Sequence, residues 1–161
     1  MPQGLSMPRV FEGNLTTPNG DFAIVVSRYN ESVTSRLLDG ALATLAENGV
    51  CYQSIDVAWV PGAFEIPLVA HRMAKSGRYV AVICLGAVIR GETTHDQHIN
   101  RAVSVGLGQA GLGSGVPVLF GVLTCDTLEQ AIHRSGGNVG NKRSECALAA
   151  LEMVNLLDRL A

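Results

Sequence analysis

Four runs of apolar residues punctuate the chain, and after each one apolar positions recur three or four apart; this alternation predicts the architecture. Residues 22–27 (FAIVVS) are almost unbrokenly apolar, as in a parallel strand buried on both faces. Val33, Leu37, Leu38, Ala41 and Leu45 then fall at helical spacing and stop at Asn48 and Gly49, a helix C-terminal signal. Residues 55–60 read as a second strand, Pro61 and Gly62 as a turn, and residues 63–75 as a helix in which Pro67 fits only the first turn. A third strand over 79–85 stops at Gly86 and leads to a helix through Ala102, Val103 and Leu107. A fourth strand over 116–124, a helix over 128–134, a glycine-rich break over 136–141 and a final helix over 144–160 complete the series. Strand–helix alternation with buried strands predicts a doubly wound α/β sheet. Residues 1–9 read as a flexible tail ahead of one domain over 10–161, whose first residues, 10–15 (VFEGNL), suit a short strand able to pair with a neighbouring subunit.

Composition narrows the function. At 161 residues and 47% hydrophobic content the chain suits one domain with a substantial core. A formal net charge of −2 with 16% charged residues gives no broad basic surface, which argues against nucleic acid and for small molecules or protein partners. Cys51, Cys84, Cys125 and Cys146 show no C-x-x-C spacing and read as buried free thiols. A secretory leader pattern is missing, and no run approaches the ~20 apolar residues of a membrane span. A cytoplasmic protein without membrane contact is the simplest expectation, so the sequons at Asn14 and Asn30 carry no weight.

A parallel sheet brings the segments after its strands to one edge, where ligands of open α/β folds bind. Residues 86–100, GAVIRGETTHDQHIN, are the most suggestive of these segments. Gly86 and Gly91 permit tight turns, and Thr93 or Thr94 can cap the following helix, whose free amides and dipole favour an anion. His95, in the first helical turn, has an unperturbed pKa suited to moving protons both ways near neutrality. Phosphate binding plus a proton shuttle is one reading; a capped turn with a surface histidine is the other. Tyr29 and Phe64, on neighbouring segments, offer faces on which a flat heterocycle stacks. Glu65 can accept hydrogen bonds from a ligand or merely complement its helix dipole. Arg134 and Lys142 flank the glycine-rich break, either as a phosphate clamp or as ordinary cations near helix ends. His95 and His98 have a zinc-compatible spacing, yet nothing completes a tetrahedral set, so no metal is expected. Residues 106–111 spell GLGQAG, but without a strand before and a helix after them they read as a flexible loop, not a dinucleotide site. Hydrolase and nucleotide-hydrolase readings lack their nucleophile-elbow and P-loop motifs.

The blocks FAIVVSRYNE, DVAWVPGAFEIP, LGAVIRGETTH, GVPVLFGVLT, DTLEQAIHRSG, GNK and ALEMVNL, in that order, give the chain a resemblance to the 6,7-dimethyl-8-ribityllumazine synthase family of riboflavin biosynthesis. The implied fold is a single-domain, flavodoxin-like three-layer sandwich with a four-stranded parallel sheet, extended by an N-terminal strand to a neighbouring subunit. The implied reaction joins 5-amino-6-(D-ribitylamino)uracil to 3,4-dihydroxy-2-butanone 4-phosphate, releasing phosphate and water without cofactor or metal. By the same matching, His95 is the catalytic acid and base and Tyr29 stacks on the pyrimidine. Ala63, Phe64 and Glu65 line the ribityl side, and Ala87, Val88 and Ile89 hold the ring edge. Glu92 and Thr93 supply phosphate-binding backbone with Arg134 as charge partner. Phe120, Arg134 and Lys142 reach the pocket from the adjacent subunit.

The resemblance further implies a homo-pentamer, with closure into a 60-subunit icosahedral shell favoured by the short link from Arg134 to Lys142, and riboflavin synthase as a candidate partner. The chain departs from the family pattern in three places: residues 96–98 read Asp-Gln-His where an aromatic residue usually follows the histidine, Tyr29 replaces a common phenylalanine, and Arg143 follows GNK in place of glycine. Asp96 either alters proton transfer at His95 or sits on the first helical turn, where carboxylates are favourable. A binding protein that has lost turnover and a chiefly shell-forming protein are the alternatives to the transferase.

Overall fold

In the computed structural model, which describes residues 6–136 and 142–161 with the side chains of 142–144 excepted, the four apolar runs are the strands of one parallel sheet. They are β1 (Asp21–Ser27), β2 (Ile55–Val60), β3 (Tyr79–Ile89) and β4 (Val118–Cys125), in the order β2-β1-β3-β4. The chain thus begins inside the sheet, steps to one edge with β2, and crosses back past β1 to build β3 and β4. Helices α1 (Glu31–Glu47), α4 (Leu128–Gly136) and α5 (Lys142–Leu160) cover one face, and α2 (Ile66–Lys75) and α3 (His95–Ser114) the other.

Successive strand residues point to opposite faces, so a strand covered on both sides must be apolar throughout. In β1, Phe22, Ile24 and Val26 pack with α1 residues Val33, Leu37, Ala41 and Leu45, while Ala23 and Val25 meet Ile66 and Ala70 of α2 and Val103 and Leu107 of α3. Truncating a fully buried side chain such as Leu37 or Ile83 to alanine would cost about 2–5 kcal/mol. Pro67 sits in the first turn of α2, after a short 3₁₀ turn over Ala63–Glu65, as its missing N–H requires.

Three sequence expectations are corrected. Strand β3 does not stop at Gly86 but runs on to Ile89, because β4 extends beside it with Gly86 opposite Val122 and Ile89 opposite Cys125. Residues 106–111 are not a loop: they lie inside α3, which continues to Ser114 and ends on Gly115 at φ 74. Its buried stripe of Val103, Leu107 and Ala110 overrides the poor helix propensity of three glycines. At Gly106 an added Cβ would come within 2.8 Å of Pro67, so the glycine brings α2 and α3 close together. Cys51 is exposed, unlike the buried Cys84, Cys125 and Cys146. Residues 10–15, whose expected partner is a neighbouring subunit, lie along α5 in their own chain, where the Asn155 side-chain amide donates to the carbonyls of Asn14 and Thr16, both at 2.8 Å.

Candidate active site

At the carboxyl end of the sheet three loops are tied to one another. The amide of Arg28 donates to the Val60 carbonyl at 2.7 Å and that of Tyr29 to Pro61 at 2.9 Å, joining the exits of β1 and β2. Asn30 adopts a left-handed backbone (φ 64), a conformation asparagine tolerates well. Its carbonyl accepts the amides of Val33 and Thr34 to start α1, and its side-chain amide reaches the Ala87 carbonyl on β3 at 3.2 Å. Behind β2, Glu65 Oε1 accepts the Gly62 amide at 3.0 Å, a capping contact that pins its carboxylate at the loop. Behind β3, the Arg90 amide donates to the Cys125 carbonyl at 2.8 Å and the chain turns through residues 92–94 into α3. The His95 amide is held there by the Thr93 hydroxyl at 3.2 Å.

The overrun of β3 shapes the site. Pairing with β1 ends at Val26 opposite Leu85, whereas pairing with β4 continues to Ile89 opposite Cys125. The β1-facing edge of residues 86–89 is therefore left without a strand partner, at the point where the strand order reverses and ligands of such folds bind. A cavity of about 470 Å³ opens here. Tyr29, Ala63, Phe64, Glu65, Ala87, Val88, Ile89, Thr93 and His95, nine of the residues singled out in the sequence, line it together. Tyr29 is 73% exposed and Phe64 62%, so two aromatic faces stand open on its walls.

Other expected residues lie elsewhere in the same chain. Glu92 is exposed and does not line the cavity. Phe120 sits on β4, 39% exposed, away from it. Arg134 caps the end of β4, its guanidinium donating to the Thr124 carbonyl at 3.2 Å and approaching Cys125 Sγ at 3.8 Å. The side chain of Lys142 lies outside the described residues. Among the described residues, the ionisable groups lining the cavity are Tyr29, Glu65, His95 and Asp96, with neither lysine nor arginine. One chain thus offers a helix N-terminus and hydrogen-bond acceptors but no cation, and His98, one turn from His95, is exposed and outside the lining.

Gly62, Gly91, Asp96 and Ile99 also line the cavity and were not among the residues assigned to it from the sequence. Helical spacing held the signal for two of them. Ile99 is four residues from His95 and three from Asp96, and it begins the apolar stripe that Val103, Leu107 and Ala110 continue, which marks the face of α3 turned inward. Asp96 is accordingly not a surface carboxylate of the first turn: it is only 8% exposed, and its Oδ1 has no hydrogen-bond partner.

Set beside known proteins, the chain matches over residues 19–158 a family model described as 6,7-dimethyl-8-ribityllumazine synthase.

Proposed function

The chain belongs to the 6,7-dimethyl-8-ribityllumazine synthase family of transferases, and we propose from that premise that it condenses 5-amino-6-(D-ribitylamino)uracil with 3,4-dihydroxy-2-butanone 4-phosphate. The observation that carries this reading is the convergence of nine expected residues on one cavity at the switch point of the sheet. In the proposed chemistry the pyrimidine amine adds to the ketone and water leaves to give an imine. Loss of a proton and of phosphate yields an enol, which becomes a ketone, and the ribitylamino nitrogen closes on it with loss of a second water. Each step moves a proton, and His95, exposed at the cavity and held at the start of α3, is the shuttle.

The remaining roles follow from the chemistry of the walls. Tyr29 stacks on the pyrimidine, and the edge of residues 87–89, which has no strand partner on this side and only Asn30 on the Ala87 carbonyl, meets the ring's donors and acceptors. Ala63 and Phe64 flank the ribityl chain, whose hydroxyls Glu65 accepts through the oxygen not engaged by Gly62. Backbone amides over 91–93 and the N-terminus of α3 receive the phosphate. A phosphate also needs a cation, and among the described residues the lining of one chain's cavity includes neither lysine nor arginine. Arg134, Lys142 and Phe120 therefore reach the site from an adjacent copy in a homo-pentamer, which a 60-subunit shell would repeat. Holding both substrates in one pocket adds the advantage of proximity.

The test is formation of the lumazine, followed by absorbance above the uncatalysed background. Turnover by the wild-type protein supports the transferase; its absence, with the pyrimidine still bound, would replace it with the binding-protein reading. Mass measurement in solution would overturn the pentamer if it gave a monomer at working concentrations.

A further inference from the structure

Asp96 is the one carboxylic side chain among the buried polar residues described, the others being Ser27, Thr34, Thr44 and Ser135. A first-turn carboxylate complements the helix dipole equally well when exposed, so its burial requires another reason. It lines the cavity together with the apolar Ala63, Val88 and Ile99 and with the polar Glu65 and His95, and its Oδ1 lacks any hydrogen-bond partner. A buried oxygen left unpaired destabilises the fold unless a donor arrives from outside the chain. An ionised carboxylate only accepts, so the group that completes Asp96 must be an N–H or O–H.

Resting on the function proposed above, we infer that Asp96 is a substrate-contacting residue that selects and orients the aminopyrimidine. That substrate carries amino, ring N–H and hydroxyl donors. The butanone phosphate offers hydroxyls and an anion, which Asp96 and Glu65 repel from the inner face of α3 while the helix N-terminus and the adjacent copy's Arg134 proposed above draw it to residues 91–93. The two carboxylates thus hold the donor-rich substrate against the inner face of α3 and keep the phosphate at residues 91–93, so that the substrates cannot exchange places.

Steady-state kinetics of Asp96→Asn and Asp96→Ala, with each substrate varied in turn, test this together with oligomer size and melting temperature. Asp96→Asn keeps the shape of the side chain and removes its charge. It should raise KM for the pyrimidine about tenfold and leave KM for the butanone phosphate within twofold, with Asp96→Ala at least as strong. Asn100→Ala removes the other unpartnered oxygen one turn along α3 and should change neither KM. A purely structural carboxylate would lower the melting temperature without separating the two substrates. An unchanged pyrimidine KM in Asp96→Asn, equal rises for both substrates, or the same selective rise in Asn100→Ala would overturn the inference. If Asp96→Ala fails to fold, Asp96→Asn decides. Should the wild-type protein show no turnover, the transferase reading falls, and equilibrium dialysis of the ribitylaminouracil decides Asp96 separately: weaker binding to Asp96→Asn sustains its role, and equal binding, or none to the wild type, ends it.

Discussion

His95 enters the cavity from the first residue of α3, with its amide fastened to Thr93 and its ring exposed, so removing the ring disturbs no packing. His95→Ala should lower kcat roughly 10²–10⁴-fold with no loss of melting temperature; unchanged turnover would exclude it as the shuttle. Tyr79 is a contrasting residue, buried far from the site, with its hydroxyl donating to the Asp56 carboxylate. That hydrogen bond, reinforced by burial, raises the tyrosine pKa above its ordinary 10.0, so the fold favours the protonated ring. Its contribution is complete below pH 10 and is lost as pH climbs through the raised value. Tyr79→Phe should cost about 1 kcal/mol at pH 7, because Asp56 is partly exposed and can turn to water, and should remove this share of the alkaline loss. Denaturant midpoints at neutral and alkaline pH would check both. The place of His95 in the cavity was legible in the sequence because it follows a strand end at the start of a helix. The burial of Asp96 was not, since a first-turn carboxylate reads alike on either side of a helix until the covered side is known.

At the scale of elements, what is local was readable and what is long-range was not. The second strand matches its expected span, Ile55–Val60, because two turn signals bound it. The third overran its expected end because β4, more than thirty residues later, supplies hydrogen-bond partners that no local pattern encodes. The glycines of α3 misled for the same reason: their tolerance depends on α2 and on the buried stripe. They are not equivalent. A side chain at Gly106 meets Pro67, whereas one at Gly108 meets nothing within 4 Å. Gly106→Val should therefore destabilise by about 1–3 kcal/mol and, by shifting α3 against α2, weaken substrate binding at its N-terminal end. Gly108→Ala should stabilise by up to about 1 kcal/mol through helix propensity alone. Thermal or denaturant unfolding of the pair decides whether packing or propensity governs each position.

For the whole molecule, the family was legible because its blocks recur in order along the chain, three of them spanning the exits of β1, β2 and β3 that the parallel sheet gathers at one edge. The assembly is not written in any pattern of a single chain. Several apolar positions are exposed in one chain, among them Val57 and Trp59 on the edge strand β2 and Leu112 of α3, 90% exposed. A site shared between copies makes a specific prediction. Subunits bearing His95→Ala and subunits bearing Arg134→Ala, each nearly inactive alone, should recover about a quarter of wild-type activity when unfolded and reassembled in equal amounts, since one interface in four joins an intact histidine to an intact arginine. No recovery in mixed oligomers of normal size would place both groups in one subunit's site. The overrun of β3 has a consequence for descent as well. The edge at residues 87–89 proposed to bind the ring is main chain, held in register by β4, and substitutions other than proline leave its donors and acceptors in place. Mutation of His95 would abolish turnover while leaving a heterocycle receptor intact. Lineages of this fold that abandon the reaction would then decay first into flavin-like binders, and those binders would stand one or two substitutions from an enzyme.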